Sequence, residues 1–262
     1  MKIRNLKSIL TTTIVASTLS FTAGSVHAGS IVLTGHDILS HGNQNGYNLV
    51  VLDYLRGAGT GSEIARSSYN VGTLRSGFNA VSGGVFASHS AQNVSSFGTV
   101  AAFTAFLGTV DAIVLPEFTT VATLATAPYK AAIETFFNAG GDIWADTNNN
   151  AANYYDWLPP GAAATGTGIS GSSGFAPTAA GAAIGITNSM VNGFPTHNIF
   201  TSFDSDFDVL EVRSSDQTAL TIGIQDAQIV DGGIVAVSEP SAIMIVGIGI
   251  AGLGFARRRR RS

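Results

Sequence analysis

Four places in this chain carry side chains that could do chemistry. Gly35-His36-Asp37-Ile-Leu-Ser-His41 sets two histidines five positions apart around an aspartate. Two imidazoles and a carboxylate can ligate a metal, or move a proton between a base and a substrate. The spacing matches no established ligand pattern, so ordinary loop hydrogen bonding stands beside both readings. Asp204-Ser-Asp206-Phe-Asp208 puts three acids on alternate positions, on one face if the segment is extended, and weak calcium binding is the chemistry that face would support. Glu211 follows out of phase with them. Asp146-Thr-Asn-Asn-Asn150 opens like a calcium loop, but its sixth position is Ala151 and its twelfth is Trp157. The EF-hand reading therefore fails, and a loop capping the sheet edge is preferred. Tyr154, Tyr155 and Trp157 could stack on a sugar ring or close the core over that loop; core packing is the expectation.

These residues need elements to hold them. Ala112 to Leu115, bounded by Asp111 and Pro116, reads as a short buried strand. Ala127 to Gly141 follows as an amphipathic helix, with Pro128 at its start, Tyr129, Ile133, Phe136 and Phe137 on one face, and Gly140-Gly141 as its stop. Asp142 to Asp146 is the next strand. Strand, helix, strand implies a right-handed crossover and a parallel sheet. Ser30 to Thr34 supplies a second strand, Tyr47 to Gly57 its helix, and Val100 to Leu107 another short helix. The polar loop holding His36, Asp37 and His41 then follows the carboxyl end of a strand, where open α/β sheets place ligand contacts. Asn70 to Gly98 is rich in Gly, Ser and Asn and reads as a long loop or an irregular β excursion covering the sheet. Pro159 to Gly185 is low complexity, a spacer or a thin surface excursion. Leu220 to Ile224 and Ile229 to Val237 look like a closing β pair separated by Gln-Asp-Ala-Gln. The expected class is α/β: a mainly parallel central sheet with flanking helices and a C-terminal β pair.

Charge separates along the chain. Lys2, Arg4 and Lys7 lie at the front and Arg257 to Arg261 at the back, which leaves five basic residues between Gly29 and Glu239 against all 17 acids, a charge of about −12. Such a module repels DNA and anionic lipid, so no nucleic-acid partner is expected. Cysteine is absent, which removes disulfides, thiolate catalysis and thiolate metal sites. No cofactor is expected.

The two ends carry addresses. Residues 1–28 combine a basic start, an apolar and threonine-rich stretch, and Val26-His-Ala28 as a small-residue exit, the three parts of a secretory signal peptide. Residues 29–237 then form the ectodomain. In 238–262, Ser238-Glu239-Pro240 precedes 16 uncharged residues from Ser241 to Ala256, about 24 Å as a transmembrane helix. Arg257, Arg258, Arg259, Arg260 and Arg261 follow, placed to stay on the cytoplasmic side.

That order of elements resembles the PEP-CTERM sorting signal of Gram-negative bacteria, with the first proline of the motif replaced here by Ser238. The resemblance implies recognition of Glu239, Pro240 and the arginine cluster by an exosortase, a membrane cysteine peptidase. It also implies passage through the secretion machinery, transient anchoring, and delivery to the cell surface or an extracellular polysaccharide matrix. Ile31-Val-Leu-Thr-Gly-His-Asp37, Asp111-Ala-Ile-Val-Leu115 and Phe136-Phe-Asn-Ala-Gly-Gly-Asp-Ile-Trp144 look like the class I glutamine-amidotransferase-like, flavodoxin-type fold. The family's cysteine nucleophile has no counterpart here, and no Gly-x-Ser-x-Gly elbow replaces it, so that chemistry is not carried over. The leading expectation is a non-enzymatic surface or matrix protein. The alternative is a secreted hydrolase of glycan or ester using His36, Asp37 and His41, with an acid from the Asp146 loop and Ser40 beside His41.

Overall fold

The computed structural model describes residues 28–39, 45–57, 65–78, 88–117, 119–147 and 152–237. Most of the signal peptide, the whole sorting tail with Glu239, Pro240 and Arg257 to Arg261, and His41 with Ser40 lie outside the described residues.

Five parallel strands form one half of a nine-stranded sheet: β1 (Gly29–Thr34), β2 (Asn70–Thr73), β3 (Ser88–Ala91), β4 (Ala112–Leu115) and β5 (Asp142–Ala145). Their spatial order is β3-β2-β4-β5-β1. As the Asp111–Asp146 stretch implies, β4 and β5 are parallel neighbours, with Ala112 opposite Asp142 and Leu115 opposite Ala145. In a flavodoxin-type sheet the first strand lies between the second and third. Here β1 instead lies beyond β5, at the junction with the antiparallel strands.

The helices follow the sequence pattern closely. In α1 (Asn45–Leu55), Tyr47, Val51, Leu52, Tyr54 and Leu55 are buried, while Leu49 and Val50 are half-buried. Helix α2 (Val100–Leu107) is capped by Thr99, whose hydroxyl accepts from the Ala102 N–H at 3.1 Å. Helix α3 (Ala127–Asn138) buries the expected Tyr129, Ile133, Phe136 and Phe137. It stops at Gly140, which has a φ of 95°, a conformation glycine adopts without penalty. Helices α2 and α3, with Tyr154 to Leu158, fill one face of the sheet; α1 fills the other.

Three regions depart from the sequence reading, one of them Pro159 to Gly185, expected as a spacer or surface excursion but carrying two strands and a short helix, with Phe175–Pro177 paired into the main sheet. Asn70 to Gly98 contains β2 and β3, not merely a covering loop. Gly72 in β2 is there for space: a Cβ would lie 2.6 Å from the Phe106 ring of α2. The expected C-terminal pair is also rearranged. Beyond β6 (Thr165–Gly171), β7 (Phe175–Pro177), α4 (Ala179–Ala183), α5 (Asn188–Val191), β8 (Thr196–Ser202) and β9 (Asp208–Arg213), the chain runs through one long strand, β10 (Ala219–Val230). Gln225 and Asp226 form a bulge inside it, with Asp226 at a φ of 48°, and the turn comes later, at Asp231-Gly232, before β11 (Gly233–Ala236). Strand β10 pairs antiparallel with β1, β9 and β11, and β9 with β7; β6 and β8 form a separate ribbon.

Among the described residues no helix is long and apolar enough to cross a membrane. Residues 29–237 expressed alone should melt cooperatively and elute as a compact species, since the described strands end at Ala236. An aggregated or molten product, by circular dichroism and gel filtration, would show that the tail belongs to the core.

Candidate functional site

The loop after β1 is held by its first residue, a glycine. Gly35 lies against β8 so closely that a Cβ would sit 1.8 Å from the Asn198 carbonyl oxygen. Its own carbonyl accepts from the N–H groups of His197 (2.9 Å) and Asn198 (3.2 Å), and His36 bridges Thr196 in antiparallel fashion. The chain is therefore extended through His36 and Asp37, and successive side chains point to opposite sides.

His36 is fully buried on the α1 side. Its Nε2 donates to the Glu211 carboxylate at 2.9 Å, and its Nδ1 is 2.8 Å from the Thr196 hydroxyl. Glu211, also fully buried, accepts from the Tyr47 hydroxyl at 2.7 Å and the Thr221 hydroxyl at 2.8 Å. The ring of Phe175 packs edge-on against His36, with centroids 5.5 Å apart. Burial, then the neighbouring Glu211 charge, pushes the Tyr47 hydroxyl well above its ordinary range. This is a core knot joining β1, α1, β9 and β10.

Asp37 faces the other way and meets two acids that follow other strands. Glu117 comes two residues after β4, and Asp146 directly after β5. One ligating atom from each of Asp37, Glu117 and Asp146 can be chosen so that all three lie within 4.8 Å of one another. Asp146 Oδ2 accepts from the Leu39 N–H at 2.9 Å. Arg75, just beyond β2, donates to Glu117 Oε1 and to the Glu117 carbonyl, both at 2.8 Å. His197 Nε2 stands 3.5 Å from Asp37 Oδ2 and is partly exposed. Glu117 Oε2 and Asp146 Oδ1 are buried with no hydrogen-bond partner among the described residues.

The crowding shows in the acidities. Burial, then the Asp37 charge, raises Glu117 to about 7 against the opposing Arg75 guanidinium. Burial, then Glu117 and Asp37, pushes Asp146 well above the usual carboxylate range. The place is also topologically distinctive. After β1 the chain turns to α1 on one face, and after the adjacent β5 it turns to Tyr154 and Tyr155 on the other. Such a divergence of neighbouring loops opens a crevice at the carboxyl ends of the strands, where α/β sheets place ligands.

The structure thus separates His36 from Asp37. It places the calcium-candidate acids differently from the extended face expected of them: Asp204 and Asp206 sit in a turn, where Asp204 Oδ1 accepts from the Asp206 N–H at 3.0 Å, and Asp208 begins β9. Among the described residues, Asp37, Glu117 and Asp146 are the group of metal-ligating side chains that converges. Sequence reasoning had Asp37 but missed Glu117, Arg75 and His197. The available signal was an acid or base within three residues of the end of β1, β2, β4 and β5. Tyr154, Tyr155 and Trp157 are buried in the core, as expected.

Residues 236–261 match the family model described as the PEP-CTERM protein-sorting motif. The match supports sorting to the cell exterior by an exosortase, with transient anchoring before release. No curated protein and no solved structure matches the chain.

Replacing His36 with Ala should lower Tm by roughly 10 °C, because it leaves a buried carboxylate short of a charged or polar donor; His36→Gln should recover part of the loss. An unchanged melt would show that the knot is not a stability element. In buffer free of divalent cations, stability should fall as pH rises from about 5 to about 8. Glu117 is raised above its unfolded value, so its neutral form stabilises the fold below the unfolded pKa and that contribution is lost through about 7. The raised Asp146 acts with the same sign. Glu117→Gln should flatten the profile; a profile rising over this window would contradict the assignment.

Proposed function

We propose that this chain is an exported cell-surface or extracellular-matrix protein of a Gram-negative bacterium, acting through structure or binding rather than turnover. The secretion machinery would deliver it, and an exosortase-type peptidase would process it near Glu239-Pro240. Extracellular polysaccharide is the partner class that this destination offers. Support for the address comes from the sorting motif at residues 236–261. The single observation that favours a non-catalytic ectodomain is the burial of His36, committed to Glu211 and Thr196. A hydrolase built on His36, Asp37 and His41 needs an imidazole that reaches substrate beside a carboxylate. His36 is instead enclosed, and Asp37 lies on the opposite side of the strand end.

The test is fractionation in a Gram-negative host with an exosortase, using tags on the ectodomain and at the C-terminus. The ectodomain tag should reach the surface or matrix fraction without the C-terminal tag. A variant lacking 238–262 should be lost from the membrane stage, and Glu239→Ala with Pro240→Ala should accumulate unprocessed. Retention of both tags in the cytoplasm would refute the address. A reproducible hydrolytic turnover of host glycan by the purified protein, removed by His36→Ala without loss of folding, would refute the non-catalytic reading.

A further inference from the structure

We propose that Asp37, Glu117 and Asp146 form a site for one divalent hard cation, with calcium the best fit. All three ligands are carboxylates and the group contains no sulfur, which selects hard cations that prefer oxygen. The geometry admits one hard cation, and calcium tolerates an irregular oxygen shell at about 2.3–2.6 Å, whereas magnesium demands a near-ideal octahedron and usually keeps several waters. The three ligating atoms lie within 4.8 Å of one another.

Charge points the same way. Three carboxylates with the Arg75 guanidinium on Glu117 carry a formal charge of −2 when all are ionised, which one divalent cation neutralises. Buried charges require pairing or a metal. Independent support comes from the free oxygens. Glu117 uses Oε1 for Arg75, and Asp146 uses Oδ2 for the Leu39 amide; the second oxygen of each is buried without a partner among the described residues. These are the atoms left for an ion. His197, partly exposed beside Asp37, lies on the solvent side of the group and would be displaced from, or reoriented at, that carboxylate on binding. Three protein ligands leave half or more of a calcium shell to water or to a ligand's hydroxyls, so the site can bind an ion alone or hold it against a polar partner.

The test uses the full chain, stripped with EDTA and titrated with calcium chloride at pH 7.5 by calorimetry, with melts at 0 and 10 mM calcium. One calcium per chain is expected, with a Kd of about 0.1–1 mM, in the range of extracellular modules. Ten millimolar calcium should then raise Tm by roughly 3–10 °C, and magnesium by less. Glu117→Gln and Asp146→Asn should each weaken binding at least tenfold, while Asp204→Asn with Asp206→Asn should not. Either cluster variant suffices if it retains the native circular dichroism spectrum. If neither folds, Asp37→Asn takes their place. Absence of calcium heat and Tm shift in the wild type, or an undiminished response in a folded cluster variant, overturns the site. Neither result bears on the cellular address, which fractionation reads separately.

Discussion

The rest of the structure depends on a carboxylate sealed in the core. Glu211 collects the Tyr47, His36 and Thr221 donors, and Thr221 is also 2.8 Å from the Thr34 hydroxyl. Through these contacts one side chain of β9 reaches α1, β10, the end of β1 and His36 two residues beyond it. It lies where the parallel half of the sheet meets the antiparallel half, the seam between β1 and β10. Because the chain is extended at His36, tying that ring to Glu211 obliges Asp37 to face away. The contacts of His36 thus set the direction in which the acid that follows it faces.

The two groups of buried acids differ in what they have been given. Glu211 has three donors on two oxygens. The Asp37, Glu117 and Asp146 group has, among the partners of the described residues, one arginine, backbone amides from Leu39 and Glu117 to Asp146, and a histidine at 3.5 Å. A carboxylate whose lone pairs are met by donors is stable when buried; one facing other carboxylates must gain a proton or a cation. Neutralising Glu117 and Asp146 by protonation and neutralising them by an ion are competing solutions to one electrostatic problem. The chosen solution depends on pH and on the cations outside the cell.

The sequence made legible those parts of the fold in which one residue type dominates one face. Phe103, Phe106 and Leu107 in α2, and Tyr129, Ile133, Phe136 and Phe137 in α3, repeat at helical spacing and are buried as that spacing implies. Ala112 to Leu115 is apolar throughout because both faces of β4 are covered. Strand β2 escaped because Asn-Val-Gly-Thr has one large apolar residue, its glycine being dictated by Phe106 on another element. The tetrad at 225–228 looked like a turn, but only Gln225 and Asp226 bulge from the strand, and Ala227 and Gln228 are already paired with β11. Of the site, Asp37 was readable, and the Asp146 loop was joined to it only as the possible source of an acid. Glu117 and Asp146 come from strands 80 and 109 positions away, and nothing local marks them as its neighbours.

The ends of a parallel sheet explain why the cluster differs from the other acids at strand termini. At the amino ends, free backbone N–H groups point outward, and acids there are satisfied by them. Asp142 accepts from the Ser30 N–H at 2.7 Å and the Tyr69 hydroxyl at 2.5 Å, and Asp111 from the Asn70 N–H at 2.6 Å. At the carboxyl ends the groups pointing outward are carbonyl oxygens, which repel a carboxylate and attract a cation. Asp37, Glu117 and Asp146 stand at that end, beside the diverging loops of β1 and β5. An acid placed at the start of a strand receives donors from the sheet, although burial still pushes Asp142 well above the usual carboxylate range. Placed just past the end of three strands, the same residue type needs a counter-charge from elsewhere. Among the described residues Arg75 supplies one to Glu117.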